Sequence, residues 1–357
     1  MKFWLQKIRT SITTMSPGYF SMVMATGILS LAAHLMELPL LAQGLFVINW
    51  ILFVLICTLA AARLLWHPRL VIGDLFNHLQ APGFFTFVAA CSILGSQSLL
   101  IGGSLRLAIL LGSVGLIAWV GLTYTIFTVL TVKQNKPSLD RGINGGWLLA
   151  VVATQSMAVI SALIAPEVGQ PLRLELNFFA LSMWLWGGML YIWMMSLIFY
   201  RYTFFEFSPA DLSPPYWINM GAMAISTLAG SLLILNTPHA PFLNSMLPFL
   251  KGFTVFYWAT GTWWIPMLLV LAIWRHVVRR FPFTYDPMYW GAVFPLGMYA
   301  VSTMRMMEAL SLPFLGKLPH LMFALGIAAW TLLFVGQLRS LRRHWLATHP
   351  PGTSVQP

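Results

Sequence analysis

Apolar runs of about 19 to 28 residues follow one another along nearly the whole chain, separated by short breaks rich in proline, glycine and basic residues. They fall at 16–36, 41–65, 81–101, 104–132, 146–164, 175–200, 214–236, 250–275, 287–306 and 319–342. A hydrocarbon core near 30 Å thick is crossed by about 20 apolar residues in helical form. Strands are excluded, because an open sheet cannot satisfy its backbone in lipid and these runs are too long for barrel strands. The pattern predicts an all-α integral membrane protein of ten transmembrane helices in one domain over 16–342. Short tails are expected at 1–15 and 343–357.

Composition sharpens this picture. Hydrophobic residues make up 59% of the chain, charged residues 8%, and mean hydropathy is +0.78. A soluble chain carries about a quarter charged residues. The net charge of +11 does not imply a nucleic-acid partner, because the basic residues sit in short loops between apolar runs and not on one soluble face. In the ten-span topology, one side receives fifteen Lys and Arg, including Lys133, Lys136, Arg141, Arg201, Arg275, Arg279 and Arg280. The other receives five: Arg106, Arg173, Lys251, Arg305 and Lys317. The positive-inside rule then puts both termini in the cytoplasm of a multi-pass protein of the cell (inner) membrane. Cys57 and Cys91 lie in apolar stretches without metal-type spacing and read as small buried hydrophobes.

The chain also repeats. Each odd-numbered span opens with a proline or glycine followed by aromatics: Pro17-Gly18-Tyr19-Phe20, Pro82-Gly83-Phe84-Phe85, Gly145-Gly146-Trp147, Pro215-Tyr216-Trp217 and Pro287-Met288-Tyr289-Trp290. These openings recur roughly every 63 to 72 residues, which predicts five helical hairpins running in parallel. Proline suits a first helical turn and aromatics suit the membrane interface. Ten of the sixteen tryptophans fall in even-numbered spans. The odd spans instead carry stripes of small and polar residues at helical spacing: Thr26, Gly27, Ser30 and His34; Thr86, Ala90 and Gln97; Thr154, Ala158 and Ser161; Asn219, Met223, Ser226 and Gly230. Such stripes also mark close helix packing. Stripes in four of the five repeats predict an inner pore ring of odd helices, lined by these residues, with the even helices outside against lipid.

Titratable residues are few. Glu37, Glu167, Glu175 and Glu308 all fall near span ends or in loops, so no span has a central acid of the kind proton-coupled carriers use. His34 is the one histidine well inside a span and a possible proton site. Arg305 precedes Glu308 by three residues, a helical pairing distance. It reads either as an anion-attracting charge at an outer mouth or as an interfacial arginine paired with that glutamate. No ligand-spaced His, Cys or acidic set implies a metal or other cofactor. The methionines Met304, Met306 and Met307 read as packing. The chain points to transport and not to an enzyme.

Four segments carry a resemblance: SPGYFSMVMATGILS (16–30), APGFFTFVAACSILGSQ (81–97), PPYWINMGAMAISTLAG (214–230) and YWGAVFPLGMYAVSTMRMMEA (289–309). The sequence resembles the tellurite-resistance/C4-dicarboxylate transporter family, which includes tellurite-resistance proteins, malate permeases, sulfite efflux pumps and plant slow anion channels. The resemblance implies ten helices in quasi-fivefold hairpins, a homotrimer with one pore per subunit, and a phenylalanine of the ninth helix that plugs the pore, here Phe294. Pro295 removes the amide that would bond to Gly291 and predicts a kink beside it. Met298, Val301 and Arg305 share the helical face of Phe294. Odd helices starting in the cytoplasm would aim their positive dipole ends at the inner vestibule. The expected function is passive export of a small anion such as sulfite, chloride or nitrate. The competing expectation is proton-coupled transport of a C4-dicarboxylate such as malate or succinate.

Overall fold

A computed structural model describes residues 12–282 and 286–348, with side chains described as far as Ser340. The two tails expected from the sequence lie largely outside the described residues, at 1–11 and 349–357. Ten long helices, numbered here α1 to α10, carry the fold: Ser21–Leu35, Pro39–Trp66, Phe85–Leu100, Leu105–Val132, Leu149–Ile164, Leu172–Phe204, Ile218–Leu235, Leu247–Ile273, Trp290–Leu310 and Lys317–Thr348. Among the described residues there is no strand. Among the described residues, nine helical segments are long and apolar enough to cross a membrane. The remaining expected span, 287–306, corresponds to α9, which is long enough but less apolar and carries Arg305 and Glu308 in its last turns.

The repeated openings form a common local structure. Short 3-10 turns at Pro17–Phe20, Ala81–Phe84, Gly145–Leu148, Pro214–Trp217 and Pro287–Tyr289 lead into α1, α3, α5, α7 and α9. Three are capped by a side chain that accepts an otherwise orphan amide: Ser16 Oγ from Gly18 N (3.2 Å), Asn144 Oδ1 from Gly146 N (2.8 Å) and Asp286 Oδ1 from Met288 N (2.8 Å). Proline in the first turn costs no hydrogen bond there. α9 stops at Ser311, whose left-handed backbone (φ 57°) closes the helix.

The odd and even helices differ in burial. In the first four odd segments 72 to 94% of the span is buried, against 17 to 50% for the even segments. The even helices expose large apolar side chains such as Leu40, Ile117, Phe178, Trp263 and Leu332. Such surface is stable only against lipid or another apolar partner. The buried helices pack in a circuit: α1 on α3, α3 on α5, α5 on α7, α7 on α9, and α9 back on α1. Each also packs on the even helix that follows it in the chain.

A second set of contacts ties every even helix to the odd helix of the next repeat. Asn49 of α2 donates to Gln97 Oε1 of α3 (2.6 Å). Trp119 of α4 donates its indole N–H to Thr154 Oγ1 of α5 (2.9 Å), and Trp184 of α6 to the Ser226 carbonyl of α7 (2.8 Å). Trp258 of α8 donates to Thr303 Oγ1 of α9 (3.0 Å). Trp330 of α10 donates to Thr26 Oγ1 of α1 (2.9 Å), which joins the last repeat to the first. Burying indoles in lipid-depth positions requires such partners, so the tryptophans of the even helices act as polar rivets as well as apolar mass.

Candidate functional site

The five odd helices enclose a narrow cavity of about 30 Å³. Its wall comes from all five: Ile28, Leu31 and Leu35; Ser92, Ile93, Ser96 and Leu100; Ser156, Val159 and Leu163; Ile225, Leu228 and Leu232; Met298, Val301 and Arg305. A water needs roughly 10–15 Å³ by this measure, so the space holds about two.

The wall has a simple register. Counted from Pro17, Pro82, Gly145, Pro214 and Pro287, its residues stand eleven, fourteen and eighteen positions along each helix. Three tiers of five result. The first holds Ile28, Ile93, Ser156, Ile225 and Met298. The second holds Leu31, Ser96, Val159, Leu228 and Val301, and the third holds four leucines and Arg305. Ser92 is the one wall residue outside this count, beside the first tier. Seven residues of helix rise about 10 Å. One step closer to the openings, at seven positions, the same count gives Met24, Ala89, Val152, Gly221 and Phe294, all buried. A Cβ on Gly221 would lie 2.8 Å from Pro295 Cγ, so α7 and α9 approach closely beside the Phe294 ring.

Most of the polar stripes read from the sequence face the surrounding helices. Thr26 and Thr154 accept tryptophan N–H groups of the even helices, and Ser30 donates to the Ala42 carbonyl of α2 (2.7 Å). Gln97 is taken up by Asn49, and Thr86 donates to the Gly83 carbonyl (2.7 Å) at the opening turn. Ser226 donates to Ala222 within its own helix, and Asn219 donates to the Tyr202 hydroxyl (3.3 Å). A Cβ on Gly27 would meet Ile93 at 2.5 Å and Asn49 at 2.7 Å, and one on Gly230 would meet Thr254 at 2.3 Å. These glycines let helices approach. Ser161 is buried and His34 is exposed at the end of α1, and neither borders the cavity. Of the residues singled out beforehand, Met298, Val301 and Arg305 border it, and Phe294 and Pro295 are buried one turn away. None of the stripe residues borders this cavity; the small and polar residues that let membrane helices touch have the same spacing as those that would line a lumen. The common register of the openings was the better signal, and it was already in the sequence.

Arg305 is the only charged residue of the wall. Its Nη1 donates to Glu308 Oε2 at 2.6 Å, with the arginine side chain 23% exposed and the glutamate 53%. It therefore both borders the cavity and carries a solvent-facing counter-charge. The wall contains no Asp, Glu or His.

At the end where the odd helices begin, a wider recess of about 880 Å³ is bordered by Asp140, Arg201, Phe207, Asp211 and Tyr216 among others. Arg201 is buried at the end of α6 and fully engaged. It donates to the Asp140 carbonyl (2.7 Å), the Tyr216 hydroxyl (3.1 Å) and Asp211 Oδ1 (3.1 Å), and stacks over Phe207. Burial pushes the Asp211 carboxyl up, but the Ser208 hydroxyl and amide and the Arg201 guanidinium outweigh it and hold it below the ordinary aspartate range. This cluster fastens the 205–213 loop to the opening turn at Pro214–Trp217.

The sequence is similar to known membrane proteins. An uncharacterized membrane protein of Mycobacterium tuberculosis is 40% identical over 152 residues, covering 43% of this chain and 77% of that protein. Two uncharacterized transporters of Methanocaldococcus jannaschii are each 27% identical, over 295 and 310 residues, covering 80% and 83% of this chain and 82% and 86% of theirs. The family model for SLAC1, the voltage-dependent anion channel, matches residues 14–338. A membrane chain built almost wholly of apolar helices, matched over nearly its full length by that model, belongs to the SLAC1 family of voltage-dependent anion channels.

Proposed function

We propose that the circuit of odd helices is the wall of a pore that carries small inorganic anions, with the ten helices crossing the membrane as five hairpins and both termini in the cytoplasm. The observation that carries this reading is the three-tier cavity, walled by all five repeats, with Arg305 as its one charge. In this orientation the five opening turns ring the cytoplasmic vestibule, and their helix dipoles favour an entering anion. Arg305 stands at the outer mouth. Phe294 is the plug: it falls in the tier below the cavity, where the matching positions are Met24, Ala89, Val152 and Gly221. At this level two of the four matching positions are the small residues Ala89 and Gly221, so a phenyl ring supplies bulk that would fill a lumen there. A negative-inside potential drives a monovalent anion outward by about 2.3 kcal/mol per 100 mV, so the pore exports passively. The resemblance adds a homotrimer with one pore per subunit.

Proton-coupled dicarboxylate transport fits less well. The wall offers no titratable acid or histidine. The deciding experiment is flux in proteoliposomes under an imposed voltage and, separately, under a pH gradient, with wild type and Phe294→Ala. Voltage-driven chloride, nitrate or sulfite flux through Phe294→Ala should exceed wild type at equal protein. In an ordinary core site the same change would cost roughly 3–5 kcal/mol of stability and gain no flux. A folded Phe294→Ala that conducts no better than wild type refutes the plug. Malate or succinate flux that needs the pH gradient refutes passive anion export.

A further inference from the structure

The cavity wall is chemically lopsided. α1, α7 and α9 contribute Ile28, Leu31, Leu35, Ile225, Leu228, Leu232, Met298 and Val301, all apolar apart from the rim residue Arg305. All three hydroxyls of the wall, Ser92, Ser96 and Ser156, come from the neighbouring helices α3 and α5. Ser96 follows Ser92 by one turn, and Ser156 falls in the first tier beside them. Two of the three protons are spent: Ser96 Oγ donates to the Ser92 carbonyl (2.8 Å) and Ser156 Oγ to the Ala153 carbonyl (2.7 Å). Ser92 is different. Its side chain is 1% exposed and its hydroxyl has no hydrogen-bond partner. A buried hydroxyl left unpaired costs free energy of the order of 1–3 kcal/mol, so something else must satisfy it.

We propose that Ser92 is the primary donor of a binding station for a small, partly dehydrated monovalent anion, a halide or a compact oxyanion, held against the α3–α5 side of the lumen. The inference rests on the pore reading above and adds to it a definite place where the anion pauses. Ser92 donates O–H to the anion. Ser96 and Ser156 bond to carbonyls already engaged in their helices, so a χ1 rotation frees their protons at small cost and adds second and third donors. The anion gives up part of its hydration shell to enter so narrow a space, and these donors replace some of the lost water. The apolar remainder of the wall keeps the dielectric low, which strengthens each such bond. Arg305 lies on the rim roughly 10 Å beyond the first tier, near enough to attract but not to trap. Weak, sparse donors are what a conducting pore requires, since an anion bound as tightly as by a buried arginine would not leave.

The test is the dependence of conductance on anion concentration in a Phe294→Ala background, with chloride and nitrate as probes. The open variant should saturate. Ser92→Ala should raise the half-saturating concentration about tenfold, the loss of one hydrogen bond to a charged partner. Ser92→Thr, which keeps the hydroxyl, should restore most of it. Ser98→Ala removes a buried hydroxyl of the same helix that donates to Leu94 and does not border the cavity, and should leave the curve unchanged. Equal half-saturation in Ser92→Ala and its parent overturns the station while leaving the pore intact. A folded Phe294→Ala variant that never conducts refutes the plug and removes the station with it. A Ser92→Ala that fails to fold is replaced by the Ser96→Ala, Ser156→Ala pair, which must raise half-saturation at least threefold or the assignment falls.

Discussion

Removing the bond that joins the last repeat to the first should cost a measurable and separable amount of stability. Trp330 Nε1 donates to Thr26 Oγ1 at 2.9 Å, with Thr26 completely buried. Trp330→Phe deletes the donor but keeps a ring to stack on Phe334, whose centroid lies 4.7 Å away at 10°. Thr26→Val deletes the acceptor at nearly equal volume. Each single change strands a buried polar group and should cost about 1–3 kcal/mol. The double variant strands neither, so it should cost less than the sum of the two. Inter-helical bonds of this kind in lipid give coupling energies near 0.6 kcal/mol and rarely above 1.7. We expect a coupling of about 1 kcal/mol, at the upper part of that range, because Thr26 is completely buried. Equilibrium unfolding of the four proteins in mixed micelles measures it directly as a double-mutant cycle. A coupling below about 0.3 kcal/mol would mean that the bond contributes shape alone, and the view of the tryptophans as rivets between repeats would fail.

Other outcomes follow from the same geometry. Glu308→Gln removes the counter-charge on Arg305 and should raise anion conductance of the opened pore about twofold at low ionic strength, an effect that fades with added salt; Arg305→Ala should lower it, and insensitivity of both would return Arg305 to a purely interfacial role. Asp211 has its carboxyl held below the ordinary range, so its contribution to stability is complete above pH about 4 and is lost as pH falls through the native value. Asp211→Asn should therefore lower thermal stability at neutral pH and flatten the acid limb, whereas a parallel pH profile would show that the Arg201 cluster does not sense protonation. Reporter fusions after Gln134 should read cytoplasmic and after Gly169 outside, and the reverse at either site would invert the topology.

Helices and their burial were legible from the sequence, because length and apolarity are set by the bilayer and tryptophan placement marks the even helices. The span boundaries shifted by a few residues, as where Leu172 and Leu247 start outer helices earlier than the apolar runs at 175–200 and 250–275 predict and Leu310 carries α9 beyond 306. Thr26 and Thr154 read as wall in the sequence, while in the structure each hydroxyl takes an indole N–H of an even helix; the two situations leave the same signature in the sequence. The first-tier residues Ile28 and Ile225 were passed over because apolar side chains look like packing unless the register is counted from the openings. Ser92 escaped notice since it belongs to no stripe; its significance lies in the hydrogen bond it lacks, and only coordinates reveal that.

The bond from Trp330 back to Thr26 spans 304 residues, so it also has a meaning in time. A ribosome adding about 5–20 residues per second takes roughly 15–60 s to make that stretch. Throughout that interval α1 sits in or beside the bilayer with Thr26 unserved by its final donor and one side of the helix waiting for α9 and α10. The nascent protein is an open arc with two raw ends until the fifth hairpin arrives. Interruption before α10 leaves a partial arc exposing small and polar side chains to lipid, which is the kind of surface that membrane quality control recognises and removes.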